Sequence, residues 1–226
     1  MQELILYHGS QNIIKKPLFG YGKTYNDYGL GFYCTESLEL AKEWACLTES
    51  NGYANKYSLN CAGLDIFNLF SEKMHILNWL ALLIKNRTFR IDSGLALEAK
   101  EYILNEFLPN IDSADVVTGY RADDSYFSFA NSFLNGALSL EQLSKAMKFG
   151  NLGEQIVLKS QKAFLQIEFI ETELADAKEY FQKREQRDTH ARQKLKKEQN
   201  KTKVLSDIYI LDILREQWKN NDARLR

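Results

Sequence analysis

The chain contains three histidines, and one stands where a backbone would present it to a ligand. His8 closes the apolar run Leu4-Ile5-Leu6-Tyr7 and is followed at once by Gly9 and Ser10. An imidazole placed there can hold a hydroxyl, and a neighbouring glycine leaves room for close approach to the main chain. A strand-end histidine is more often a satisfied structural residue, so the block that follows decides how His8 is read. That block is Gly29-Leu30-Gly31-Phe32-Tyr33-Cys34-Thr35-Glu36, with a helical stretch bearing Trp44 behind it. Tyr33 and Trp44 are either aromatic faces for a ligand or ordinary core residues. Gly29 and Gly31 do not make a dinucleotide-binding turn, because they follow a polar loop and a third glycine is missing.

Other chemistry-bearing residues carry less. Cys34, Cys46 and Cys61 are odd in number and lack C-x-x-C spacing, so neither a disulfide framework nor a metal site is expected. Asp115, Arg121, Asp123 and Asp124 read as turn-forming and helix-capping residues, or alternatively as ligand contacts. His75 falls in an apolar helical stretch and reads as structural; His190 lies in a solvated basic stretch.

The elements that must position these residues are short. Leu4–Tyr7 is a buried strand, and the glycine-rich segment from Gly20 to Gly31 is a loop. Leu40, Ala41 and Trp44 share one helix face. Lys56–Cys61 and Leu64–Leu69 read as strands. Helices are expected from about Glu72 to Ile84 and from a cap at Asp92 or Ser93 to Phe107. Ala114–Gly119 is a strand, and helices are expected from Asp124 or Ser125 to Leu134 and from Ser139 to Met147. Gln155–Leu158 and Phe164–Ile170 complete the strands, the latter with Leu165, Ile167 and Phe169 on one face. The class is mixed α+β.

The two blocks around His8 and Tyr33 together resemble the ADP-ribosyltransferase superfamily, in the His-Tyr branch that includes the poly-ADP-ribose polymerases. Trp44 falls where that branch has a second aromatic. More closely, the body is similar to a bacterial family, domain of unknown function 3990, placed in that superfamily. The similar stretches are Tyr7–Ser10, Tyr28–Glu36 with Ala41–Ala45, Asp115–Asp124, Glu154–Phe164 and Ile208–Glu216. The resemblance implies an ADP-ribosyltransferase-like split β-sheet core with flanking helices over residues 1–177, and a charged helical C-terminal extension over 178–226. It implies NAD as co-substrate, no metal, and transfer of ADP-ribose onto a macromolecular acceptor, protein or nucleic acid. Members of the family look like toxins of toxin–antitoxin or phage-defence modules, which implies a small antitoxin partner. NAD hydrolysis, or an inactive fold used for binding, are the alternatives.

The same resemblance assigns roles. Tyr33, with Trp44 nearby, would supply the aromatic face beneath the cationic nicotinamide, worth roughly 0.5–2 kcal/mol. The backbone of Gly9 would pair with the nicotinamide amide, His8 would hold a hydroxyl of the adenosine-side ribose, and Ser10 would add a hydroxyl contact. The third motif position is a glutamate in the polymerases, which aligns with Glu154. The bacterial family instead matches Gln155 there. Adjacent strand residues point to opposite faces, so only one of them lines the cleft. Gln155 is preferred and Glu154 is the alternative. A glutamine hydrogen-bonds but is no base, which favours single transfer over chain elongation.

Charge separates the chain further. Net charge is -1 from 29 basic and 30 acidic residues, but residues 1–177 hold 15 Lys/Arg against 22 Asp/Glu, and 178–203 hold 10 against 4. Between Gln182 and Lys203 the apolar residues are Ala191 and Leu195, so this stretch reads as a long exposed helix. It has no interleaved aromatics for base stacking, although its cations could meet phosphates or an acidic partner. The apolar residues from Val204 to Trp218 give an amphipathic helix expected to dock on the body, on a second copy as a homodimer, or on a partner. With no signal peptide or membrane span in view, a cytoplasmic protein without a membrane partner is expected.

Overall fold

The computed structural model describes residues 3–88, 91, 94–122, 124–146, 154–200 and 206–225. In chain order the elements are β1 (Glu3–Ser10), β2 (Phe32–Cys34), α1 (Leu38–Ala45), β3 (Gly52–Asn60), β4 (Ile66–Asn68), α2 (Ile76–Asn86), α3 (Gly94–Phe107) and β5 (Val116–Tyr120). They continue with α4 (Asp124–Leu134), α5 (Leu140–Ala146), β6 (Glu154–Leu158), α6 (Gln161–Leu165), β7 (Ile167–Ala175), α7 (Ala177–Gln199) and α8 (Ile210–Arg215). The class is mixed α+β, as the sequence implies. The caps expected at Asp92 or Ser93, together with Asp123, lie outside the described residues.

The chain forms two compact units. One comprises Met1–Asn68, Ile111–Arg121 and Leu152–Arg187; the other Leu69–Asn110, Ala122–Asn151 and Asp188–Arg226. The charge step at 177/178 is therefore not where the units part.

Among the described residues, the first unit holds every strand. An antiparallel sheet has the order β1-β3-β7, and a second sheet has the order β2-β6-β5-β4, with β4 and β5 parallel. Leu6, Tyr57 and Leu59 from the first sheet meet Phe32, Cys34, Val116, Ile156 and Leu158 from the second in one buried core. Each such side chain removed from water is worth about 1.5–3 kcal/mol, so this layer fixes the strands that carry the candidate site. Helix α1 is capped by Ser37, whose hydroxyl accepts from the Leu40 amide at 3.3 Å, and buries Leu40, Ala41 and Trp44 as their spacing predicts.

One expectation needs correction here. The run predicted as one strand from Phe164 begins inside a helix, because the Ser160 hydroxyl accepts from the Ala163 amide at 3.1 Å and caps α6. Leu165 is consequently exposed rather than facing the core. The strand starts at Ile167 and runs on to Ala175 through Glu171 and Glu173. An edge position tolerates these acids, and a bulge between Lys56 and Tyr57 of β3 leaves Ile170 as the extra residue. The first turns of α7 belong to the sheet-bearing unit, where Ala177 and Tyr180 pack against Ala45, Cys46 and Ala175.

The second unit is helical. Helix α2 is buried on all sides from Leu77 to Ile84, and His75 precedes it as its N-cap. Ser139 caps α5 as predicted, accepting from the Gln142 amide at 3.2 Å. The C-terminal segment predicted as one amphipathic helix is helical only over Ile210–Arg215 among the described residues. It docks on the chain's own helical unit: Ile210, Ile213 and Trp218 are buried, and Lys219 pairs with Glu106 of α3 at 2.8 Å. No helix among the described residues is long and apolar enough to cross a membrane.

Candidate functional site

The end of β1 is held from both sides. Toward β3 its ladder is complete, with His8 opposite Asn55 and Gly9 opposite Ala54. Toward β2 there is one rung: Tyr7 and Thr35 exchange both backbone hydrogen bonds, at 2.7 and 3.0 Å. The next rung of an antiparallel ladder would pair Gly9 with Tyr33. Instead the Tyr33 carbonyl accepts from His8 Nδ1 at 2.7 Å. The two strands therefore splay at this point, with an imidazole standing where a backbone amide would be. By the two-residue period of a strand, the N–H and C=O of Gly9 share the direction of those of Tyr7 and face the opened gap.

His8 is well defined chemically. Its ring stacks on Phe32 with centroids 4.4 Å apart. A carbonyl partner requires a hydrogen on Nδ1, which leaves Nε2 as the acceptor in the neutral ring. Burial lowers its pKa, and the bond to the Tyr33 carbonyl opposes that shift in part. Ser10 does local work: its hydroxyl accepts from the Asn12 amide at 3.1 Å.

Tyr33 is locked by the glycine loop. Its hydroxyl donates to the Gly29 carbonyl at 2.6 Å and accepts from the Tyr28 amide at 3.0 Å. Gly29 itself has φ +75°, a conformation L side chains rarely adopt. Lys159, just past β6, donates to the carbonyls of Tyr28 and Leu30 at 2.5 and 2.8 Å, while the Tyr28 hydroxyl reaches the Tyr120 carbonyl at 2.6 Å. Sequence reasoning passes over Lys159 and Tyr28. A lysine directly after the apolar run of β6 is the available signal.

Gly9 has a different reason to be glycine from the one expected. A Cβ at position 9 would sit 2.0 Å from the Ala41 carbonyl oxygen and 2.8 Å from the Ala45 nitrogen. Helix α1 thus lies directly on β1, and the missing side chain makes room for that helix. The same approach places Trp44 beside Gly9, its Cβ 2.8 Å from that position. The Trp44 indole is buried and its Nε1 has no hydrogen-bond partner. Arg121, one residue past β5, lays its guanidinium over the Trp44 ring at 4.4 Å. The aromatic face is therefore already matched to a cation.

The strand register separates Gln155 from Glu154. Tyr33 pairs with Val157 and Cys34 with Ile156. Partners across a ladder share a face, so Gln155 lies on the face of Tyr33 and Val157, and Glu154 on the opposite one. Gln155 pairs with Gly119, two residues before Arg121. Its side chain is buried, and Oε1 has no hydrogen-bond partner. Glu154 is exposed.

The remaining candidates resolve into structure. Asp115 accepts from the Ser160 hydroxyl and from the Asp65 amide at 2.9 Å, with Lys162 at 3.4 Å; the Ser160 bond first of all holds its carboxyl below the usual carboxylate range. His75 Nε2 meets the Asn220 side-chain oxygen at 3.1 Å, a structural use. His190 is exposed on α7.

No curated protein and no solved structure matches the chain. A family model does, over residues 4–169, which takes in His8, Tyr33, Trp44 and Gln155. The chain belongs to the family described as Protein of unknown function (DUF3990).

Proposed function

We propose that this protein is an NAD-dependent ADP-ribosyltransferase that makes single transfers onto a macromolecular acceptor, on an ADP-ribosyltransferase-like split-sheet core. One observation carries the reading: the β1–β2 ladder stops after the Tyr7–Thr35 rung, and the His8 imidazole replaces the next one. That leaves one backbone donor and one acceptor of Gly9 facing the gap, the complement of a carboxamide such as that of nicotinamide. Other candidate residues offer groups suited to the rest of the co-substrate. Neutral His8 offers Nε2 to a ribose hydroxyl. The Gln155 Oε1 is a buried acceptor with no protein partner, on Tyr33's side of the sheet, and would hold another. Tyr33 would supply the aromatic face beneath the nicotinamide cation, with Trp44 nearby and its ring covered by Arg121.

In the reaction the bond between nicotinamide and the ribose C1′ breaks, and nicotinamide leaves neutral with the bonding pair. An oxygen or nitrogen of the acceptor forms the new bond to C1′ and gives up its proton to solvent. Charge builds on the ribose as in glycoside cleavage. Gln155 can orient the ribose but cannot take the proton, which supports single transfer over elongation. A role as the toxin of a toxin–antitoxin or phage-defence module follows from the family resemblance, with a small antitoxin as partner.

The test is calorimetric NAD binding together with release of nicotinamide and transfer from labelled NAD. Wild type is expected to bind and turn over, His8→Ala to lose both, and induced expression to arrest growth only with His8 present. No NAD binding by wild type would sink the reading.

A further inference from the structure

We propose that the loop between β1 and β2 is the acceptor platform and that the acceptor is a single-stranded nucleic acid; the acceptor role rests on the transfer reading above. Both stems of this loop end at the candidate site. On the β1 side, Asn55 accepts from the Ile14 amide at 2.9 Å and donates to the carbonyls of His8 and Asn12, each at 3.2 Å, while the Tyr57 hydroxyl donates to the Ile14 carbonyl. On the β2 side, Tyr33 and Lys159 fix Tyr28 to Leu30.

Between these anchors the chain turns outward and carries an unusual set of side chains. Tyr21 is 79% exposed, Tyr25 56% and Phe19 53%. Gly20 and Gly22, with φ +79° and +138°, flank Tyr21 in backbone conformations that L side chains rarely adopt. Phe19 is steadied edge-on by Phe164, centroids 5.6 Å apart, and Lys23 lies 5.7 Å from the centre of the Tyr25 ring.

Charge selects the partner. From residue 4 to residue 26 there are three lysines, Lys15, Lys16 and Lys23, and no acid. All three are exposed, and none forms an ion pair with a described carboxylate. This patch is basic inside an acidic body. Some cations of α7 are paired instead: Lys183 with Glu39 and Glu179, Arg187 with Glu43, and Arg192 with Asp188. Exposed aromatic rings interleaved with unpaired lysines match the demands of a single strand, whose bases stack while its phosphates meet cations. A duplex hides its base faces and would use only the lysines. A base or ribose nucleophile of the bound strand would attack C1′, with nicotinamide leaving and the nucleophile's proton passing to water, as written above.

The full chain is titrated against fluorescein-labelled 12-mers: single-stranded RNA, single-stranded DNA of the same sequence, and duplex DNA. Both single strands are expected to bind better than the duplex, and more weakly by roughly tenfold or more between 50 and 200 mM salt. Tyr21→Ala weakens single-strand binding at least about fivefold. Replacing Lys15, Lys16 and Lys23 by Ala lowers the slope of log K against log salt by about 2. Preference for RNA over DNA adds a ribose-hydroxyl contact; equal affinity assigns recognition to bases and phosphates alone. Calorimetric NAD binding is followed on the same preparations and is expected to be unchanged in these variants, while transfer to the oligonucleotide and the nicotinamide release coupled to it are lost. Intact NAD turnover with no oligonucleotide binding, or with label passing to protein instead, overturns the proposal and leaves the transfer reading standing. Oligonucleotide binding without NAD binding overturns the transfer reading and the acceptor role, and supports the loop as a nucleic-acid surface.

Discussion

The Nδ1 of His8 donates to the Tyr33 carbonyl at 2.7 Å, so a side chain completes a ladder that the backbone leaves open. Burial lowers the His8 pKa, with the Tyr33 bond opposing. In the unfolded chain its value returns to about 6.5. The unfolded state therefore binds more protons as pH falls below about 6.5, and stability is lost from there down to the lowered folded value. Above about 6.5 the contribution is complete. Denaturant melts across pH 5 to 8 should show this decline in wild type and a flatter profile in His8→Gln. Parallel profiles would remove His8 as the titrating group.

Gly9 is required by a helix. Adding a Cβ would overlap the Ala41 carbonyl oxygen at 2.0 Å, and backbone cannot swing aside as a side chain does. Gly9→Ala should cost about 1–3 kcal/mol or more, the range for overpacking a filled space, read as a lower urea midpoint. Gly52 meets α1 in the same way, because a Cβ there would sit 2.5 Å from the Ala45 carbonyl oxygen. Gly52→Ala should therefore behave alike.

The register makes Gln155 and Glu154 unequal. Gln155→Ala should lower kcat/KM for transfer by about ten- to a hundredfold, within the range for removing one positioned hydrogen-bonding group. Glu154→Gln, on the opposite face of β6, should leave it within about twofold. Steady-state nicotinamide release with both variants decides. The reverse ranking would return the third motif position to Glu154.

What is legible in the sequence follows from period and spacing. Alternation along β6 is enough to oppose Glu154 to Gln155, and the spacing of Leu40, Ala41 and Trp44 gives α1's buried face. The Ser160 cap overrides the alternation after Phe164, so a helical turn stands where the pattern predicts a strand. The long-range uses stay hidden for a plainer reason. Lys159 reaches carbonyls more than a hundred residues away in sequence, and Arg121 meets Trp44 only because β5 ends beside α1. No local pattern encodes such meetings.

That meeting has a consequence for NAD. Arg121 covers the ring of Trp44 at 4.4 Å, the second aromatic beside the proposed nicotinamide position, so its charge would oppose the nicotinamide cation. Arg121→Ala should clear the ring and tighten NAD binding about two- to tenfold, in line with a cation–π contact of roughly 0.5–2 kcal/mol. Quenching of tryptophan fluorescence gives the affinity. Weaker binding in Arg121→Ala would instead assign the guanidinium to the co-substrate.

The first turns of α7 hold α1 through one buried ion pair. Glu43 is buried and receives both Arg187 nitrogens, Nε at 2.8 Å and Nη2 at 2.6 Å. Such a bidentate pair fixes geometry, but its net worth is limited by the desolvation of both ions. Removing Arg187 leaves a carboxylate buried without its counter-charge, so Arg187→Ala should cost about 3–5 kcal/mol. Glu43→Gln leaves the neutral amide buried and the partly exposed guanidinium free to turn to water, and should cost less. Replacing both by methionine should recover most of the loss. Urea denaturation of the three variants tests the order, and equal costs for the two single changes would show that the pair is not buried in solution. Because α1 carries Trp44, the Arg187→Ala chain should also show altered tryptophan emission before it unfolds.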